Sequence, residues 1–109
     1  MGKSSQRKGR AGELELVGVL HDHGIPARPG DAVSYGNTPD VVGVPGIHVE
    51  CKRVERLNLD AAIDQAIRDG ERFCDGLPAV FHRKNRRSWL VTMRLDDWAA
   101  LYKRKEGRK

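Results

Sequence analysis

An α/β or α+β sandwich, a central mixed β-sheet flanked by helices, is the fold class this sequence predicts. Three observations predict it. Apolar periodicity switches from helical to alternating and back along the chain. Clusters of Gly, Pro, Ser and Asn punctuate the blocks. A length of 109 residues suits one compact domain and leaves little room for a second. The resulting order is helix, strands, helix, strands, helix. Charged residues make up 32 % of the chain and aromatics 6 %, so the core has to be thin and built from Val, Leu, Ile and Ala.

Residues 1–8 are polar and basic and read as a flexible arm. From Gly9 to His23 the pattern is helical: Leu14, Val17 and Leu20 recur at helical spacing with Leu16 beside them. Gly24 follows as a C-cap and Pro26 prevents continuation. Ile25 to Arg28 reads as a short strand, and Pro29 to Pro39 as a loop rich in turn residues. A loop this long in so small a domain is usually functional or mobile. Val41 to Val44 is a short apolar strand, and Pro45-Gly46 a turn. In Ile47 to Arg53 the side chains alternate: Ile47, Val49 and Cys51 leave one face, His48, Glu50 and Lys52 the other. The two strands form a hairpin.

Asn58 or Asp60 caps a second helix running to about Cys74, with Leu59, Ala62, Ile63, Ala66, Ile67 and Phe73 as its apolar face. Pro78 to His82 and Trp89 to Met93 are two further strands joined by a basic turn around Asn85. A final helix spans roughly Leu95 to Lys103, with Asp96 and Asp97 at its positive end. Trp98, Leu101 and Tyr102 are expected to pack it against the body, and Trp89 to serve the core. Residues 9–103 thus form the domain, and 104–109 a basic tail.

The formal net charge is +5 and the sequence pI about 9.6. The excess lies at the ends (Lys3, Arg7, Lys8 and Arg10; Lys103, Arg104, Lys105, Arg108 and Lys109) and in a cluster, Arg83, Lys84, Arg86 and Arg87, between two apolar runs. Clustered positive charge suits a polyanion such as nucleic acid. Charge alone fits a solvated surface equally well. Cys51 and Cys74 show no metal or redox spacing, so a reducing cytosol is expected. No apolar run approaches membrane-spanning length and no signal-peptide pattern follows the basic N-terminus. The expected location is the cytoplasm, with no membrane partner. Neither GxxxxGK[ST] nor GxGxxG occurs, and the four histidines form no metal-ligand pattern.

The chemistry-bearing residues are Asp40 and, after nine intervening residues, Glu50-Cys51-Lys52. With the turn at Pro45-Gly46, paired residue numbers sum to about 91, placing Asp40 opposite Cys51, between Glu50 and Lys52. Mg²⁺ takes oxygen ligands, commonly one or two carboxylates. Asp40 and Glu50 supply these, and the backbone carbonyl of Cys51 a third oxygen. Such a cation neutralises charge on a phosphodiester transition state and acidifies an attacking water. Lys52 beside it orients that water and stabilises developing negative charge. Glu-x-Lys on a strand is by itself a common solvent-facing ion pair worth under ~1 kcal/mol. Its company distinguishes it: an apolar strand, a preceding turn, Pro39-Asp40 at hairpin distance, and Glu13. On its helix Glu13 shares the apolar stripe with Val17 and Leu20, where an acid needs a partner. The alternative is a first-turn acid favoured by the helix dipole, a role Glu15 fills as well. His48 shares the face of Glu50 and Lys52, although a lone strand histidine is more often structural.

The series Gly9-Arg10-x-x-Glu13, Pro39-Asp40 and Glu50-Cys51-Lys52 resembles the PD-(D/E)XK nuclease superfamily, and within it the small archaeal and phage Holliday junction resolvases. The resemblance spans about residues 7 to 93. It implies a restriction-endonuclease-like fold and a Mg²⁺- or Mn²⁺-dependent endonuclease of branched or duplex DNA, acting as a homodimer in a bacterial or phage-infected cell. It also implies that Glu13, Asp40 and Glu50 are metal-ligand acids and Lys52 the catalytic lysine. Gln65 matches a helix glutamine near the site, with an ordinary exposed polar residue as the alternative. Ser34, Tyr35 and Asn37 lie where such proteins touch the scissile strand, and Tyr35 is placed to stack on a base. Lys3, Arg7, Lys8, Arg10 and the Arg83–Arg87 cluster would contact phosphates. Cys51 replaces the usual Val or Ile. Two alternatives stand beside this reading: another nuclease of the superfamily, from phage replication-repair or restriction, and a non-catalytic DNA-binding module with the same fold.

Overall fold

The computed structural model describes residues 2–30 and 38–107, with side chains from residue 9 onward. Helix α1 spans Gly2–Asp22. It starts well before Gly9, so the arm expected over 1–8 is continuous with it. The cause is local: the segment holds no proline, and Lys, Gln and Arg are good helix formers. Of its apolar stripe, Leu16, Val17 and Leu20 are buried, whereas Leu14 faces solvent. Gly24, at φ 79°, ends it.

Among the described residues five strands follow: β1 Arg28–Pro29, β2 Val41–Val42, β3 Ile47–Arg53, β4 Leu77–Arg83 and β5 Leu90–Thr92. They lie in the order β1-β2-β3-β4-β5. Only β3 and β4 are parallel; the other neighbours are antiparallel. The sheet is therefore mixed, as expected. The parallel step needs a crossover, and helix α2, Leu59–Phe73, supplies it. Asn58 is its N-cap, its side chain accepting from the Ala61 N–H at 3.1 Å. In the hairpin Val41 pairs with Val49. These numbers sum to 90 rather than 91, so extending the ladder by one residue sets Asp40 across from Glu50.

The central strand β3 is covered on both faces. Val49, with Ile47 and Cys51, packs into a cluster with Leu16, Val17, Leu20, Ala27 and Val41 under α1. Val80, in register with Glu50, packs with Ala62 and Ala66 under α2. Glu50 thus sits on the α2 side of the sheet. Trp89 packs against the α1-side cluster, as expected.

The last helix, α3 (Leu95–Glu106), departs from expectation. It has no buried residue. Leu95 is 74 % exposed, Trp98 50 %, Tyr102 49 % and Leu101 38 %. The apolar stripe is present, but among the described residues nothing covers it. The basic tail expected from Arg104 is largely the end of this helix. Among the described residues no helix is long and apolar enough to cross a membrane.

Close approach of α1 to β3 depends on Gly12, which is buried. A Cβ there would lie 2.6 Å from Cβ of Arg53. Gly12→Ala should therefore push α1 off the sheet and lower stability by roughly 1–3 kcal/mol. Urea unfolding measures this; an unchanged midpoint would rule out that packing.

Candidate active site

The site forms where three separate elements bring acids against the middle of β3. Glu50 is 3 % exposed and His48 1 %. Side chains at 48, 50 and 52 share a face because strand residues alternate, and that face lies under α2. Gly70 of α2 faces His48 across this face, where a Cβ would meet the His48 Cβ at ordinary contact distance, 3.5 Å.

Asp40 is held from two sides. Its side-chain Oδ2 accepts from the Cys51 N–H at 3.4 Å. Its backbone carbonyl accepts from the Gly30 N–H at 2.9 Å. Gly30 is required there, because a Cβ would collide with the Pro39 carbonyl oxygen. Arg10 also donates to the Gly30 carbonyl at 3.1 Å, tying α1 to this loop. Despite the one-residue difference in register, Asp40 reaches the strand edge between Glu50 and Lys52. Within a strand residue, N–H and C=O leave the same edge, so the Cys51 carbonyl also faces the Asp40 side.

The acids influence one another electrostatically. Burial, then the charges of Asp40 and Glu50, push the Glu13 carboxyl from 4.5 up to about 7, against the pull of Arg10. Burial also raises Asp40, although the Cys51 N–H bond, Lys52 and a hydrogen bond with Glu50 work the other way. Glu50 is raised by burial and by Asp40 and Asp69, against His48 and Lys52. Burial and the surrounding carboxylates push the Cys51 thiol up to about 12, so it stays protonated. Glu13, Asp40 and Glu50 are thus one repelling cluster. Glu15, the alternative helix acid, is elsewhere engaged, bonding Arg53 and Arg83 at 2.8 Å each. Those bonds outweigh its partial burial and lower its pKa.

Lys52 and Gln65 meet: the ammonium Nζ donates to Oε1 of Gln65 at 2.9 Å. Gln65 is therefore a partner of Lys52 and only partly exposed. His48 is also in the site. Its Nε2 lies 3.3 Å from Oε1 of Glu50, and its Nδ1 2.9 Å from Oδ1 of Asp75. Burial opposes charge on this ring, but its bonds to Glu50 and Asp75 outweigh that and raise its pKa. Asp69 joins from α2. Ligand atoms of His48, Glu50 and Asp69 all lie within 4.8 Å of one another. Sequence reasoning missed Asp69 and Asp75. The one available signal for Asp69 was its place four residues after Gln65, one helical turn along α2.

The expected DNA contacts divide. Ser34, Tyr35 and Asn37, and the side chains of Lys3, Arg7 and Lys8, lie outside the described residues. Arg10 faces the Gly30 loop. Arg83 is tied to Glu15, while Lys84, Arg86 and Arg87 are exposed at the β4–β5 turn.

An oxygen-rich set of raised carboxyls beside an ammonium suits a hard divalent cation, which removes the repulsion. No protein-family model matches this chain, and no curated protein or solved structure is similar to it.

Without metal the cluster sets a pH dependence. Glu13, Asp40 and Glu50 all bind protons more tightly folded than unfolded. Their favourable contribution is full below the ordinary carboxyl range and is lost as pH rises, for Glu13 through about 7. In EDTA, stability should drop by on the order of 1–2 kcal/mol from about pH 5 to about pH 8, after solvent screening. Glu13→Gln should flatten that slope. Urea melts at both pH values decide it; an identical slope in the variant would remove Glu13 from the cluster.

Proposed function

We propose that this chain is a metal-dependent DNA endonuclease of the PD-(D/E)XK type, with a restriction-endonuclease-like arrangement of its α+β fold. The observation that carries the reading is Asp40 bonded to the Cys51 N–H, between Glu50 and a Lys52 held by Gln65, with the Glu13 carboxyl feeling both acids. Asp40 and Glu50 would hold Mg²⁺ or Mn²⁺, with the Cys51 carbonyl and Glu13 completing the oxygen set. A divalent cation bound there supplies charge neutralisation at the phosphoryl group and a more acidic attacking water.

The chain's own groups do the rest. Gln65 fixes the Lys52 ammonium by accepting one of its three N–H bonds. The remaining donors face the phosphodiester, orient the nucleophilic water and stabilise the negative charge that builds as the P–O bond breaks. His48, clamped by Asp75, holds Glu50 in one rotamer. His48 and Asp69 extend the donor set at Glu50. The exposed Lys84, Arg86 and Arg87 contact phosphates away from the cut.

The substrate is branched DNA of the Holliday junction kind, in a phage-infected or bacterial cytoplasm, where the free Cys51 and Cys74 are stable. Cutting both strands of a junction needs two sites, hence a homodimer. Helix α3 offers the surface. A 12-residue helix with no buried residue is marginal in water by itself. Leu95, Trp98, Leu101 and Tyr102 present roughly 500 Å² of apolar surface per copy, the scale of a small, dissociable interface. Acids fill its first turn and Lys103, Arg104 and Lys105 its last. Two copies packed antiparallel would place opposite charges together.

Purified protein should nick a four-way junction with Mg²⁺ and stop in EDTA. Asp40→Asn and Lys52→Ala should each cut roughly 10²- to 10³-fold more slowly while melting as cooperatively as wild type. Metal-dependent cleavage at full rate in Asp40→Asn would refute the site. Tight DNA binding without cleavage in any divalent metal would favour a non-catalytic module, and equal cutting of duplex, flap and junction a less selective nuclease. Sedimentation should show a concentration-dependent dimer that Trp98→Glu converts to monomer; an unchanged profile would rule out α3 as the interface.

A further inference from the structure

A groove of about 700 Å³ opens between the β3–α2 connection and the β4–β5 hairpin. Its rim carries Lys84, Arg86 and Arg87, and its floor Leu57, Leu59 and Leu90. Leu90 is 58 % exposed. We propose that this groove binds an unpaired nucleotide of single-stranded DNA, base on the leucines and phosphate at the basic rim. The proposal deepens the nuclease reading and takes only its ligand class from it.

The lining selects that ligand. A polyanion suits the rim, because Arg83 is already committed to Glu15 and to the Arg87 carbonyl, whereas Lys84, Arg86 and Arg87 stand exposed. The acid in the wall, Glu55, is engaged by the Asn85 N–H at 2.7 Å and by Arg53 at 3.8 Å. Duplex DNA presents phosphates and sugars to a lateral groove, and nothing in these matches three leucines. An unpaired base offers a flat apolar face that does.

Position supports the same ligand. Glu50 and Lys52 share one side of β3, the strand ends at Arg53, and the next residue, Val54, is in the groove wall. The groove therefore opens at the end of the strand that carries Lys52, two residues further along the chain. His82, in register with Lys52 on β4, lines it as well. Burial lowers the pKa of this ring, and its Nε2 is bonded to Oγ1 of Thr92 at 2.8 Å. A strand cut at Lys52 therefore has its neighbouring nucleotides over the leucines.

Backbone strain supplies a separate observation. Arg86 has φ 64°, a left-handed conformation that glycine or asparagine adopts more readily. A long cation stands where the turn alone favours glycine, and such strain concentrates at ligand sites.

The test uses fluorescence anisotropy in EDTA, with labelled oligothymidylate and a duplex of equal length. Leu90→Ser should weaken single-strand binding about 5-fold, the scale of one lost base contact, and leave duplex binding within about 2-fold. Arg86→Gly should weaken single-strand binding by a similar factor and reduce its salt slope by about one. Its melting temperature should not fall, since glycine relieves the turn. Equal losses on both DNAs with Leu90→Ser, or none on either, would overturn the proposal. Because EDTA prevents cleavage, selective binding by a protein that never cuts would support the groove while refuting the nuclease reading.

Discussion

Two carboxyl groups, Asp40 and Glu50, are each made costly to ionise by burial, alongside a third, Glu13, that feels both, and the remaining architecture accommodates that. Like charges a few ångströms apart repel far more strongly inside a protein than in water. Each acid therefore has its own restraint. Glu50 is fixed in the central strand with His48 beside it. Asp40 is pinned by the Cys51 N–H and, through its backbone, by Gly30. Glu13 rides on a helix whose distance from β3 is set by Gly12. If a cation binds this cluster, as we propose, relief of the repulsion would add to its binding free energy.

The parallel β3–α2–β4 unit makes this possible. Its crossover sets α2 over the face that carries Glu50 and Lys52, so Gln65 and Asp69 face them from above. Orientation of Lys52 by Gln65 and of Glu50 by the Asp75–His48 pair removes freedom that ligand binding would otherwise have to remove. Position is shared between strand and helix, and rigid elements hold geometry better than loops.

Legibility in the sequence followed from how local each feature is. The alternation in β3 is a two-residue pattern, so the shared face of Glu50 and Lys52 was readable directly. Asp40 was readable because a Pro-Gly turn brings it back across ten residues, although the register differs by one. Glu13 betrayed itself as an acid on an apolar stripe. Asp69 and Asp75 did not, because an acid on an amphipathic helix or just beyond its end looks the same whether it faces solvent or a site. His48 was ambiguous for a related reason: its burial comes from α2 and from Asp75, 27 residues away, which no local pattern encodes. The stripe on α3 was read correctly as apolar and wrongly as buried. Periodicity reports which face avoids water, not what covers it.

The ion pairs of Glu15 tie three elements that are distant in sequence. Its carboxylate bonds Arg53 at the end of β3 and Arg83 at the end of β4, while its own helix carries Glu13 two residues earlier. The brace is partly exposed, so dissolved ions weaken it. Those ions also screen the exposed lysine and arginines of the neighbouring turn. Brine would then slacken the scaffold and dull its attraction for polyanions together, two losses that a simple count of displaced counterions merges into one.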